Sequence, residues 1–151
     1  MQINPKIGYY LAGFVDGEGS FNVSLRKRPD HNIGWQVVLT FNVSQKDKTI
    51  LALLKKHLGC GKLHMRKDGI WYYVVTDYKI INDKVIPFFN KFSFMSSKTK
   101  HNFYLFKKIA KLVNSHEHLN KDGLREIIQI REYLNPGRGR KRKYTKDNIN
   151  K

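Results

Sequence analysis

Two carboxylates stand where elementary electrostatics disfavours them. Asp16 and Glu18 close an otherwise apolar segment, Ile7–Val15 (IGYYLAGFV), in which Ile7, Tyr10, Leu11, Phe14 and Val15 recur at helical spacing. Pro5 precedes it as a helix start allows, so the pattern predicts a helix over 6–17. A helix C-terminus carries roughly half a negative charge, and a carboxylate there costs a few tenths to about 1 kcal/mol unless a cation compensates. Up to Gln45 the chain has one other acid, Asp30. A divalent metal bound at the helix end would resolve the conflict. Alternatively, both acids simply solvate the helix end and open the turn into the next strand.

The same helix carries small residues four apart: Gly8 and Ala12 on one line, Gly13 and Gly17 on another. Such spacing lets a second backbone approach closely. That neighbour is either the chain's own sheet or the same helix of a second copy, with Gly8, Leu11, Ala12 and Gly13 as the expected dimer seam. A two-fold seam would bring both Glu18 carboxylates to one end of the contact, where divalent metals assist in-line phosphodiester hydrolysis.

The elements that must position these acids follow from hydrophobic period. Phe21, Val23 and Leu25 alternate with Asn22, Ser24 and Arg26; after a turn rich in Pro29, Asp30, Asn32 and Gly34, Trp35, Val37, Leu39, Phe41 and Val43 alternate with Gln36, Val38, Thr40 and Asn42. Asp47 N-caps a predicted helix over Lys48–Leu58 that ends at Gly59. A second hairpin is expected over Lys62–Lys67 and Gly69–Asp77, turning at Asp68–Gly69. Helices are expected over Tyr78–Lys91, Lys98–Ser115 and Lys121–Leu134. The fold class is α+β: a four-stranded antiparallel sheet backed by helices on one face. One domain is expected over 1–134, then a basic tail over 135–151 that is disordered until it meets an anion, carrying Arg138, Arg140, Lys141, Arg142, Lys143, Lys146 and Lys151.

Composition narrows the function. With 29 Lys and Arg against 12 Asp and Glu, the 151-residue chain has a formal charge of +17, while hydrophobic residues make up 40%. A folded domain of that charge repels itself unless its partner is a polyanion, and nucleic acid leads an anionic membrane surface as the candidate. Cys60 is the single cysteine, which excludes a disulfide framework and a CxxC zinc site. No stretch reaches the roughly 18–20 apolar residues of a transmembrane helix, and no signal cleavage site follows Val15, so neither a signal peptide nor a membrane partner is expected. Abundant Asn, Ile, Lys, Tyr and Phe have A/T-rich codons, pointing to an organelle genome, mitochondrial or chloroplast.

The string Leu11-Ala12-Gly13-Phe14-Val15-Asp16-Gly17-Glu18-Gly19 resembles the signature of the LAGLIDADG homing endonucleases, and its setting, a helix running into a long hairpin, is similar too. The element order resembles that family's αββαββα core. With one copy of the motif in the sequence, the resemblance implies the single-motif, homodimeric branch: a site-specific double-strand DNA endonuclease acting on a long pseudo-palindromic site. It implies that Glu18, with the carbonyl of Gly17, binds the catalytic divalent metal, Mg²⁺ with Mn²⁺ as a substitute, and that Asp16 closes the helix end without catalysing. Phe41-Asn42-Val43-Ser44-Gln45-Lys46 resembles the segment whose Gln orients solvent, here Gln45. Ser97-Lys98-Thr99-Lys100-His101 resembles the Lys-rich entry to the late helix, giving Lys98 a place at the scissile phosphate, or Lys100 if the register slips by two. Where some relatives have an Arg after the Gln segment, Lys48 stands.

A two-stranded ribbon fits the DNA major groove. The non-core positions of the first hairpin are Asn22, Ser24, Arg26 and Arg28, opposite Gln36, Val38, Thr40 and Asn42. On the second they are Lys62, His64 and Arg66, with Trp71 and Tyr73. Arg suits guanine, Asn and Gln suit adenine, and Val38 suits a thymine methyl; Lys27 and the tail suit phosphates. Two other functions fit the same charge: an intron maturase that binds its host intron RNA, and a DNA-binding regulator without catalysis.

Overall fold

The computed structural model describes residues 2–136, 144–145 and 148. The cationic residues of the expected basic tail lie outside the described residues.

Asn4 caps the first helix, α1 (Pro5–Glu18), its side chain accepting from the Lys6 N–H at 2.9 Å. The period then switches to two and gives β1 (Gly19–Lys27) and β2 (Trp35–Gln45). Asp47 accepts from the Thr49 N–H to start α2 (Lys48–Leu58), which ends at Gly59 in the left-handed region, φ 70°. Both caps are those the sequence specifies. The second hairpin is shorter than expected, β3 (Lys62–Met65) and β4 (Trp71–Val75), because Arg66 to Ile70 form the turn.

The third expected helix is not uniform. It opens as α3 (Tyr78–Ile80), passes through a π-helical stretch (Ile81–Val85) and resumes as α4 (Ile86–Lys91). Ile86 donates five residues back to the Ile81 carbonyl, just before Pro87, which has no N–H to give. Two longer helices follow, α5 (Ser97–Asn114) and α6 (Lys121–Arg131), with a 3₁₀ turn (Glu117–Leu119) between them.

All four strands join one antiparallel sheet in the order β1-β2-β4-β3. Its helix-side face supplies Phe21, Val23, Leu25, Val37, Leu39, Phe41, Val43, Tyr73 and Val75 to the core. Phe21 and Phe41, cross-strand partners, stack at 5.0 Å between ring centroids, and Phe89, Phe103 and Phe106 pack around Phe21. The opposite face carries no helix-side core residue. Among the described residues no helix is long and apolar enough to cross a membrane.

Candidate nucleic-acid interface and metal site

The two acids of the motif have different surroundings. Asp16 reaches from the C-terminal end of α1 to the start of α5: its carboxylate accepts from the Met95 and Ser96 N–H groups, each at 3.0 Å, and from the Ser96 hydroxyl. Thr99 closes the contact by donating its hydroxyl to the Asp16 carbonyl at 3.1 Å. Burial pushes the Asp16 carboxyl up, but the hydrogen bonds from Ser96, Thr99 and Met95 outweigh it and hold the group below its ordinary value. The carboxylate that one helix end disfavours is thus placed at the positive end of another. Asp16 is accounted for without a metal.

Glu18, two residues on, is the last residue of α1 and is exposed, as is Gly17. Among the described residues its side chain makes no hydrogen bond or ion pair. The register Gly19↔Val43 puts Gln45, two residues beyond Val43, at the same end of the sheet. There it continues the helix-side row of β2 but is only half-buried, paired with Trp71. Lys98 is exposed on the first turn of α5, beside Thr99 and so fastened to the end of α1. The three residues expected to do chemistry come from α1, β2 and α5; Glu18 and Gln45 lie toward the same end of the sheet, and the contact of Asp16 with Ser96 ties the start of α5, which carries Lys98, to the end of α1. Among the described residues no three His, Cys, Asp or Glu side chains cluster to hold a metal. A single free carboxylate and a backbone carbonyl form a hard-oxygen donor set too small for a closed cage. It suits Mg²⁺, which keeps several waters and takes further ligands from phosphates.

The outer face of the sheet carries the expected non-core residues of the first hairpin in a cross-strand ladder, with Ser20, which the sequence did not single out, at one end. Ser20 stands opposite Asn42, Asn22 opposite Thr40, Ser24 opposite Val38 and Arg26 opposite Gln36. Farther across lie Lys62 beside Val74 and His64 beside Tyr72. Each hairpin tip pairs an Arg with an Asp two residues on. Arg28 forks onto Asp30, 3.0 and 2.8 Å, and also donates to Gln36 at 3.0 Å; Arg66 forks onto Asp68, 3.3 and 2.8 Å. The fork with Arg28 holds the Asp30 carboxyl down at about 2. Arg28 and Arg66 are exposed enough to exchange these partners for a phosphate or a base.

Two expected DNA contacts are on the wrong face. Tyr73 is fully buried, edge-on to Phe41, and its hydroxyl donates to the Cys60 carbonyl at 2.8 Å. Trp71 shares that helix-side face, with the Lys48 ammonium 4.7 Å over its ring. In the run Trp71-Tyr72-Tyr73-Val74-Val75 both faces carry large residues, so alternation alone does not choose between them, and a shift of one residue moves every side chain across the sheet. The outward positions are Tyr72 and Val74.

Three of the four expected dimer-seam residues are also spent internally. Leu11 and Ala12 are buried, and a Cβ on Gly8 would sit 2.4 Å from the Phe92 ring. That line of small residues admits α1 to its own domain. The other line stays open: nothing lies within 4 Å of where a Cβ would stand on Gly13 or Gly17, and Tyr10 beside them is exposed. Sequence reasoning also missed the polar residues that tie the helices to the sheet edge, Asn102, Arg131 and Asn135. Arg131, 4% exposed, donates to the Val23 carbonyl at 2.7 Å and the Tyr144 carbonyl at 2.8 Å. An Arg on a helix face gives no sequence signal of such a role.

Residues 11–110 match the family model described as LAGLIDADG endonuclease. The chain belongs to that family. It is 33% identical over 141 residues to the "Probable intron-encoded endonuclease 3" of Neurospora crassa, covering 91% of this chain and 26% of that protein. The fold is that of the homing endonuclease I-TnaI, with a TM-score of 0.80 and 31% identity over 91% of this chain and 92% of that one. It is equally that of I-SmaMI bound to uncleaved DNA target in the presence of calcium ions, with a TM-score of 0.81 and 30% identity over 91% of this chain and 47% of that one. The chain thus spans about a quarter of the curated relative and about half of I-SmaMI.

Proposed function

We propose that this protein is a divalent-metal-dependent endonuclease that reads duplex DNA with the outer face of its sheet and acts as a homodimer. The observation that carries this reading is the division of labour between Asp16 and Glu18: one acid is consumed by the fold, and the other is left exposed at the end of α1, where the chain enters a sheet with a polar, basic outer face. Glu18 and the Gly17 carbonyl would hold the cation, Mg²⁺ by the hardness of the donors, with Mn²⁺ as a substitute. A cation there would neutralise phosphate charge and lower the pKa of a bound water. Gln45 orients solvent at the site and Lys98 offers positive charge to the phosphate. Asn22, Ser24, Arg26, Gln36, Val38, Thr40, Asn42, Lys62 and His64 face the major groove.

The one carboxylate per chain supports two copies, one for each strand. The open line Tyr10, Gly13 and Gly17 on α1 is the face on which a second α1 fits. A relative encoded in an intron, with the abundance of residues whose codons are A/T-rich, supports an organellar intron as the source.

The test is selection of cleaved duplexes from a random pool with Mg²⁺. A recovered site with two-fold symmetry, lost with Glu18→Ala while DNA binding persists, is the expected result. Cutting by Glu18→Ala at the wild-type rate would overturn the metal assignment. Tight RNA binding without cutting would favour a maturase.

A further inference from the structure

Asn135 lies beyond the last helix in the left-handed region, φ 50°, a conformation that Asn tolerates better than most residues. Every polar group on its side chain is engaged. Its backbone N–H donates to the Asn102 Oδ1 at 3.1 Å, and its Oδ1 accepts from the Asn102 Nδ2 at 2.9 Å. Its Nδ2 donates to the Phe21 carbonyl at 2.8 Å and to the Asn22 Oδ1 at 3.3 Å. Asn22 in turn donates from its Nδ2 to the Ser20 Oγ at 2.8 Å.

The chemistry of the chain's ends dictates the orientation of all three amides. A backbone N–H can only donate, so Asn102 must present its oxygen to it and its nitrogen to Asn135. The Phe21 carbonyl can only accept, so the Asn135 nitrogen faces β1. Both hydrogens of that nitrogen are then used, and Asn22 must offer it oxygen rather than nitrogen. Asn102 is buried, 6% exposed, so the end of the network that holds Asn135 is shielded from water, while Asn135 and Asn22 are half-buried.

We infer that Asn135 is a specificity-determining positioning residue: it pins the amide of Asn22 in one orientation on the DNA-reading face. A free Asn side chain can turn over and offer its donor and acceptor in either order. A pinned one offers a single order, with one N–H and one lone pair of Asn22 left for a base edge. Recognition of adenine requires that order, since N7 accepts and N6 donates. The residue that sets it touches no DNA. This inference rests on the reading of the sheet as the DNA-binding face.

The test compares base preferences along the half-site, by selection of cleaved duplexes, for the wild type, Asn22→Ala, Asn135→Gly and Asn135→Asp. Asn22→Ala identifies the base pair that Asn22 reads. Asn135→Gly keeps the left-handed backbone and frees the Asn22 amide, so discrimination at that pair falls about tenfold, within the range of one bidentate contact, while preferences at other pairs hold. Asn135→Asp keeps the acceptor for Asn102 but sets a carboxylate oxygen against both the Phe21 carbonyl, which cannot donate, and the Asn22 oxygen, which can be exchanged for nitrogen. Asn22 then turns over, and the preferred base at that pair changes. If Asn22→Ala alters one preference and neither Asn135 variant does, the inference is wrong and the reading of the sheet stands. A uniform change at all positions with either variant overturns it as well. If Asn22→Ala alters none, the assignment of Asn22 to the reading face falls, and the inference with it.

Discussion

Asp16 and Ser96, 80 residues apart, are joined by a carboxylate that accepts both the backbone N–H and the hydroxyl of the serine. Ser96 is itself the N-cap of α5, its hydroxyl facing the Thr99 N–H at 3.3 Å. The contact fastens the end of α1, with Glu18, to the start of α5, with Lys98. Removing the carboxylate leaves donors at a helix N-terminus unpaired, a loss of about 1–3 kcal/mol. Asp16→Ala is therefore expected to lower stability by that amount in denaturant unfolding and to slow cleavage by loosening Lys98. Glu18→Ala, which breaks no internal contact, leaves the unfolding midpoint unchanged.

The same contact sets an acid limit. The folded Asp16 carboxyl lies below its ordinary value of 3.8, so its contribution to stability is fully present above that value and is lost as pH falls through the folded one. Unfolding measured from pH 6 to pH 3 should show stability falling at the acid end. Asp16→Asn should flatten that part of the fall, leaving what Asp30, Asp47 and Asp68 contribute, since their carboxyls are lowered too.

Hydrophobic period made the helix-hairpin-helix-hairpin order legible, because Phe21 to Leu25 alternate strictly, Val37 to Val43 alternate with Val38 as the one apolar outward residue, and Asp47 and Gly59 punctuate α2. Two acids in a region nearly without them singled out the end of α1 as a candidate site. Their separation into a capping residue and a free one was not legible, since Ser96 is distant in sequence and nothing local marks it as the partner. Period failed at Trp71–Val75, where large residues occupy both faces. It was silent on Asn102 and Asn135, whose roles exist only once α5 and the chain after α6 reach the edge strand β1.

Gly8 and Gly13 separate packing from assembly. A methyl on Gly8 meets the Phe92 ring, which is buried and held against Phe88. Gly8→Ala should cost about 1–3 kcal/mol, as overpacking does. Nothing lies within 4 Å of the Gly13 position, and replacing a helical Gly removes an entropic cost of about 0.5–1 kcal/mol. Gly13→Leu is expected to fold, to sediment as a monomer, to lose double-strand cleavage and to unfold without the concentration dependence that a dimer shows. A dimer unaffected by Gly13→Leu would place the interface elsewhere.

Tyr72 and Tyr73 are adjacent, and the register sends them to opposite faces. Tyr73 is sealed in the core, and burial pushes its hydroxyl far up in pKa while the Cys60 carbonyl takes its proton in a hydrogen bond. Tyr73→Phe removes that bond and leaves the carbonyl unsatisfied, for a loss of about 1 kcal/mol. It should not change which DNA sequence is cut, because the ring cannot reach the outer face. Tyr72 lies edge-on to His64 on that outer face, ring centroids 5.3 Å apart, and is only half-buried. Tyr72→Ala is expected to leave stability within about 0.5 kcal/mol and to weaken DNA binding in a titration at fixed salt. The opposite pattern, with Tyr73→Phe altering DNA preference and Tyr72→Ala altering stability alone, would mean that β4 is shifted by one residue and that Trp71 and Tyr73 face the groove.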